Sequence, residues 1–197
     1  LDFTAIKTFK RYLETAESSY NKYNAYKHLY WAYKLKGEES NAKLYKDKAK
    51  KEREDKFEGD FDFDANYYNK RLLEIRLLYD GGYYAQAKLK IKKISLSSLG
   101  TTDKKLEYYY RYGRIYQGLG DESNALYWLK KAVDTGVNST RYFGRKAALE
   151  SGIIYKEQEI ESRAKEMLTK AIDSFPNSEE HEKSIKQQAK MLKSEIE

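Results

Sequence analysis

The feature that most constrains this sequence is a short pattern that occurs four times, in which a glycine precedes an alanine by five residues. The glycines of the first three copies are Gly37, Gly82 and Gly120, and the fourth copy has lost its glycine. The marker alanines, separated by 45, 38 and 39 residues, are Ala42, Ala87, Ala125 and Ala164. A period of this length predicts a stack of helical units, each of which buries its apolar face only against its neighbours.

The composition favours helices throughout the chain. The 197 residues include one proline and no cysteine. The scarcity of proline, together with abundant Lys, Glu, Ala and Leu, gives a high helix propensity. The 20 tyrosines suit packing between helices, because each ring offers a wide apolar surface and a polar tip. The lack of cysteine excludes disulfides and thiolate zinc sites but does not select a compartment.

The charge pattern predicts a solvated surface. The formal net charge is +7, from 38 basic and 31 acidic residues of alternating sign, which is compatible with an acidic partner. No stretch of about 18 apolar residues occurs, so we expect a soluble protein without a membrane span. The chain opens at Leu1 without an apolar leader. We therefore expect a processed chain or a fragment. The compartment stays unknown at this point: it is the cytoplasm or, if a leader or lipid anchor was removed, the periplasm.

Apolar residues at helical spacing divide the chain into a leading helix, four helix pairs and a final helix. We expect a single domain over residues 1–197, with a leading helix at 1–20, repeats at 21–56, 65–95, 103–135 and 139–174, and a capping helix at 178–197. An acidic and aromatic interruption at 57–66 accounts for the longer first step. Gly37 predicts a left-handed helix end. The predicted N-caps are Thr102–Asp103, Asp121, Ser139 and Asn177–Ser178.

The third and fourth copies share a longer pattern of large and small residues. In the third copy its positions are Tyr109, Tyr112, Gly113, Tyr116, Gly120, Ala125, Leu129 and Ala132. In the fourth they are Ala148, Ser151, Gly152, Tyr155, Ala164, Leu168, Ala171 and Pro176. This pattern resembles the tetratricopeptide repeat (TPR), and the resemblance covers about 21–176. We expect Gly113 and Gly152 to allow neighbouring helices to approach closely.

The TPR resemblance implies an all-α fold: a right-handed α-solenoid of about four TPR-like helix pairs, with an extra N-terminal helix and a C-terminal capping helix. The steps exceed the 34 residues of the usual repeat, and Ile75 replaces a glycine. These departures predict longer helices or connectors and an irregular superhelix.

The sequence shows no group of residues that would carry catalysis, so we expect neither an enzyme nor a cofactor or metal site. His28 and His181 are far apart in the repeat path, and no cysteine can act as a nucleophile. A calcium loop that began at Asp60 would need glycine at position 65 and glutamate at position 71. The chain has Ala65 and Arg71 at these positions.

The resemblance implies that side chains of the first helix of each pair line a concave groove, where an extended peptide or a helix binds. At these positions the chain mixes cations with aromatics, which suits an acidic partner segment with apolar anchors. The expected contact residues are Lys27, Trp31, Arg76, Tyr110, Arg114 and Lys156. The expected function is a non-catalytic scaffold or adaptor that binds another protein. The clamp of some TPR domains for chaperone tails does not fit, because Trp31 and Leu73 stand where that clamp needs asparagine.

Two other functions stay open at this point. The basic faces at 43–56 and 88–93 could bind the phosphates of a nucleic acid or another acidic surface, although the balanced charges make nucleic acid the weaker hypothesis. The chain could also be the helical end of a larger multidomain protein. The sequence names neither the partner nor the oligomeric state.

Overall fold

The computed structural model describes residues 4–52, 69–177 and 182–196. Within these ranges the regular structure consists of ten α-helices and one 3-10 helix, without a strand, which confirms the expected all-α class. The chain divides into two compact units, Leu1–Lys70 and Arg71–Glu197. The expectation of one continuous domain stays a prediction. None of the described helices combines the length and the apolar character that crossing a membrane requires.

The first unit contains α1 (Thr4–Leu13), α2 (Ser19–Lys36) and α3 (Glu39–Glu52), and α2 packs against both of the other helices. The rings of Tyr33 and Tyr45 stack 5.4 Å apart between α2 and α3. No residue of α1 is buried. This helix contacts α2 through Phe9, whose ring stacks on His28 at 5.0 Å.

The second unit begins with α4 and ends with α10, and helices that follow one another from α6 to α10 pack together. In addition, α6 packs against α8, and α8 packs against α10. The helices are α4 (Lys70–Asp80), α5 (Tyr84–Ile91), the 3-10 helix Leu96–Leu99, α6 (Thr102–Gly118), α7 (Glu122–Gly136), α8 (Phe143–Glu157), α9 (Glu161–Asp173) and α10 (Glu182–Ser194). One apolar core of buried Leu, Ile, Ala and Tyr residues extends from α4 to α10.

The same turn links the two helices of every pair, at α2–α3, α4–α5, α6–α7 and α8–α9. In the third pair, the Gly120 N–H donates to the Gln117 carbonyl at 3.0 Å and the Asp121 N–H donates to the Tyr116 carbonyl at 2.9 Å. The hydrogen bonds around positions 37, 82 and 159 have the same spacing. The four central residues have φ values of 85, 78, 73 and 59°. The lost glycine of the fourth copy is thus Glu159, which adopts the left-handed conformation without being glycine. This arrangement is the Schellman motif, in which a left-handed residue ends a helix.

Close contact through glycine, expected from the sequence, is confirmed within the third and fourth pairs. A Cβ atom on Gly113 would lie 2.7 Å from Cγ of Leu129, and one on Gly152 would lie 2.8 Å from Cγ of Leu168. Real Cβ atoms do not approach other atoms this closely, so a side chain at either glycine would force the facing leucine to shift. The marker alanines are buried in all four copies.

The predicted helix ends are partly confirmed. Asp121 caps α7, since its Oδ1 accepts from the Asn124 N–H at 3.2 Å. The cap of α6 is Thr101, one residue before the predicted site. The prediction for Ser139 is wrong, because α8 begins at Phe143 and the Ser139 hydroxyl instead donates to Asp103 of α6 at 2.8 Å.

Several sequence-based expectations fall largely on residues outside the described ranges. They are the interruption at 57–66, the rejected calcium loop at Asp60, the cap at Asn177–Ser178 and His181. The last helix of the repeat expected at 65–95 ends earlier than predicted: α5 ends at Ile91, and the 3-10 helix Leu96–Leu99 follows.

Candidate functional site

Four polar side chains from α4, α6 and α8, those of Tyr79, Tyr110, Arg114 and Glu150, form a cluster centred on the guanidinium of Arg114, and we call them the Arg114 cluster. Arg114 donates from Nε and Nη2 to the Tyr79 hydroxyl at 3.1 and 2.7 Å, and from Nη1 to the Tyr110 hydroxyl at 3.4 Å. Its Nη1 also forms an ion pair with Oε1 of Glu150. The same carboxylate oxygen lies 3.2 Å from Nζ of Lys146. The cluster therefore ties together the first helices of three consecutive pairs.

The interior position of this cluster shifts the pKa values of its members. Burial raises the pKa of Tyr110 well above its usual range, and burial also raises that of Tyr79. Burial alone would lower the pKa of Arg114, but the neighbouring Tyr110, Glu150 and Tyr79 outweigh it and raise the value. At neutral pH the cluster thus contains two neutral phenols and a permanently charged guanidinium.

Three further cations lie on the same helices α4 and α8 with part of their side chains exposed. Arg76 lies one turn before Tyr79 on α4 and pairs with Asp80 at 3.6 Å, with 23% of its side chain exposed. Lys146 is 24% exposed, and Lys156 is 34% exposed and pairs with Glu195, which directly follows α10, at 2.5 Å. Of the expected contact residues, Arg76 is thus next to the Arg114 cluster, Tyr110 and Arg114 belong to it, and Lys156 lies outside it.

The remaining expected contact residues, Lys27 and Trp31, belong to the first unit. Lys27 of α2 is buried, and its ammonium group lies 5.3 Å from the ring centroids of both Tyr23 and Trp31. Trp31 is only 1% exposed, and its indole contacts the edge of His28 at 5.2 Å. Its role is therefore core packing in this structure, where an aromatic ring gains most from leaving water.

Burial also changes the interpretation of Tyr110. This ring lies 5.4 Å from Phe143 of α8, and its hydroxyl contacts Arg114. Tyr110 is buried, so it contributes by holding Arg114 in position and not by contacting a partner directly. Arg114 likewise donates most of its hydrogen bonds to neighbours within the chain. A substitution of Arg114 would disturb the packing of α4, α6 and α8 as well as the surface.

Sequence reasoning missed two buried charged groups. Arg145 of α8 is 1% exposed and donates to four carbonyls at the end of α9, namely those of Ala171, Ile172, Phe175 and Pro176, at 2.7 to 3.2 Å. Glu107 and Arg111 form a buried ion pair within α6 at 2.5 Å. The spacing of four between Glu107 and Arg111 was a signal for that pair. No local signal marks Arg145, because its partners are 26 to 31 residues away.

The site combines hydrogen-bond donors and cations with the carboxylate of Glu150. Within the described ranges, no cluster of His, Asp or Glu has the arrangement that holds a metal ion. Arg76 and Lys146 flank the Arg114 cluster, so an anionic group on a partner would meet cations already supported by buried neighbours.

Comparisons of this chain with protein-family models, with curated proteins and with solved structures found no match.

Proposed function

We propose that this chain is a TPR-like helical scaffold that binds an acidic segment of a partner protein on the side formed by α4, α6 and α8. The observation that carries the proposal is the turn that recurs at positions 37, 82, 120 and 159 with the same left-handed residue and the same hydrogen bonds. Four equivalent turns, each followed by a buried alanine, support a true structural repeat. Repeat proteins use the surfaces of their stacked helices mainly for binding other molecules.

The choice of surface rests on the charges of the first helices. Arg76 and Lys146 are partly exposed and lie beside a cluster that holds its own members in place. A preorganised cation loses less entropy on binding than a mobile one. The pair Lys146 and Arg114 faces the single carboxylate of Glu150, so this part of the surface retains a positive charge that an acidic segment would neutralise.

The experiment compares two double variants of matched chemistry. The test variant carries Arg76→Ala and Lys146→Ala, and the control carries Lys130→Ala and Lys170→Ala. Each of these four cations forms an ion pair with a carboxylate four residues away on its own helix. The test residues lie on α4 and α8, and the control residues lie on α7 and α9. The two variants therefore lose the same charge and the same kind of ion pair.

The probes are two pools of fluorescent peptides of equal length, one rich in Asp and Glu with Leu and Phe anchors, the other with Lys and Arg in place of the acids. We expect the acidic pool to bind, and the test variant to bind it about tenfold more weakly, which corresponds to about 1.4 kcal/mol. Fluorescence anisotropy gives the affinity, and circular dichroism checks that helicity is retained. Equal losses in the two variants, or no binding of the acidic pool, would refute the proposal.

A further inference from the structure

The first unit contains a second cationic site, a cleft between α1 and the end of α2. Its volume is about 570 Å³, within the range of small-ligand sites. Its lining includes Lys7, Lys10 and Arg11 from α1, Lys36 from α2 and one carboxylate, Glu14. The formal charge of this lining is thus strongly positive. The carboxyl-terminal ends of α1 and α2 together offset about one unit of it, since each carries roughly half a negative charge.

Two cations of α1, Lys7 and Arg11, form no ion pair within the described part of the chain. Among the described residues, neither Lys7 nor Arg11 has a carboxylate partner, and they are four residues apart on one side of a helix. Like charges at this spacing repel each other. The neighbouring Tyr33 hydroxyl is the main cause that raises the pKa of Lys10, and the Lys10 ammonium group lies 5.6 Å from the centre of the Tyr33 ring. Lys36 pairs with Glu38 outside the cleft lining.

We propose that this cleft binds a phosphorylated serine or threonine side chain of a partner protein. A phosphate monoester carries about two negative charges and three acceptor oxygens at neutral pH. That charge matches Lys7, Lys10 and Arg11 better than a single carboxylate does, and the planar guanidinium of Arg11 can donate two parallel hydrogen bonds to it. The cleft is much larger than one phosphate group, so the flanking peptide has room to contact the α1 surface beside it.

The test uses the full chain and three short peptides that differ at one central position, which is phosphoserine, glutamate or serine between glycine and alanine neighbours. Binding is followed by the NMR shifts of the α1 and Tyr33 amides up to millimolar peptide concentration. We expect the phosphoserine peptide to bind about tenfold more tightly than the glutamate peptide, and the serine peptide not to bind.

The test variant carries Lys7→Ala and Arg11→Ala, and the matched control carries Lys50→Ala and Lys51→Ala on α3. Both variants lose two exposed cations of the same unit, and alanine favours a helix at each position. We expect the test variant to lose about tenfold in affinity for the phosphoserine peptide and the control to lose less than about twofold.

Three outcomes would overturn the proposal. They are the absence of any NMR shift with the phosphoserine peptide, equal affinity for the glutamate peptide, and an equal loss of affinity in the control variant, which would indicate diffuse electrostatic attraction only.

Two further measurements distinguish other sources of phosphate. Stronger binding of inorganic phosphate, or of vesicles that contain phosphoinositides, than of the phosphoserine peptide would assign the cleft to a different ligand and refute the proposal. The cleft lies in the first unit and the proposed peptide surface in the second, so each proposal can fail without the other.

Discussion

The third and fourth helix pairs have the same turn between their helices, but the ends of their second helices, α7 and α9, make different contacts. At the end of α7, Gly136 packs directly on Gly144 of α8, so closely that a Cβ on Gly136 would lie 2.5 Å from the Gly144 Cα. At the end of α9, by contrast, the guanidinium of Arg145 of α8 donates hydrogen bonds to the terminal carbonyls. Shifted by the repeat step of 39, Arg145 corresponds to Leu106, which is also buried. The repeat thus fixes the helix pair, while single residues decide what the end of each second helix contacts.

The two pairs also differ in how they fill the space beside the close glycine contact. In the third pair, Tyr112 and Trp128 stack with ring centroids 4.3 Å apart. The corresponding residues of the fourth pair are Ser151 and Met167, and they line a cavity of about 230 Å³ between α7, α8 and α9. The same helix pair therefore has a filled aromatic layer in one copy and a cavity in the other, because smaller side chains stand at the corresponding positions.

The largest effect that would test this comparison comes from Arg145→Met. The substitution leaves carbonyls at the end of α9 without their donor in the interior, so we expect the free energy of unfolding to fall by about 3–5 kcal/mol. The matched variant Leu106→Met conserves volume and apolar character at the corresponding position, and should cost less than about 1.5 kcal/mol. Urea denaturation of both variants measures the difference. Similar losses would mean that Arg145 acts only as a space-filling side chain.

A smaller effect is expected for Gly136→Ala. Its new methyl group would meet backbone atoms of Gly144, which cannot rotate away, so we expect a loss of about 1–3 kcal/mol. The control is Gly152→Ala, where the nearest atoms belong to the flexible side chain of Leu168. Alanine also gains about 1 kcal/mol of helix propensity over glycine at that mid-helix position. A larger loss in thermal stability for Gly152→Ala than for Gly136→Ala would contradict this account.

The smallest effects concern the turn within each pair, and they have opposite signs. Glu159 has φ of 59°, a conformation that costs a non-glycine residue about 1–2 kcal/mol. Replacing Glu159 by glycine would remove this cost, but part of the gain in stability would be lost because glycine has more conformational freedom in the unfolded chain. We expect Glu159→Gly to stabilise the protein by about 0.5–1 kcal/mol and Gly120→Ala to destabilise it by a similar amount. Differential scanning calorimetry of both variants checks the signs. Two changes of the same sign would show that the turns are not equivalent.

Local features of the fold could be predicted from the sequence because their causes lie within a few residues. The left-handed end at Gly37, the cap at Asp121 and the buried marker alanines all follow from spacing and residue type. The cap at Ser139 could not be predicted correctly, since the hydroxyl is used by Asp103, 36 residues earlier. The expected contact residues stay a prediction, and the structure shows only how far each of them is exposed. Arg76 and Lys156 are partly exposed, whereas Trp31 is buried, and helical periodicity alone could not show that α2 buries it.

The sequence by itself determined that this protein is helical and where its four turns lie, because helix propensity, glycine ends and alanine spacing act over short distances along the chain. Only the tertiary structure decided which charged groups are available to a partner. Arg114, Glu150 and Arg145 find their partners 26 to 36 residues away, whereas Lys7 and Arg11 find no carboxylate among the described residues. Ion pairing depends on distances in space, so the function of a cation in this chain follows from its neighbours across the helices and not from its place in the repeat.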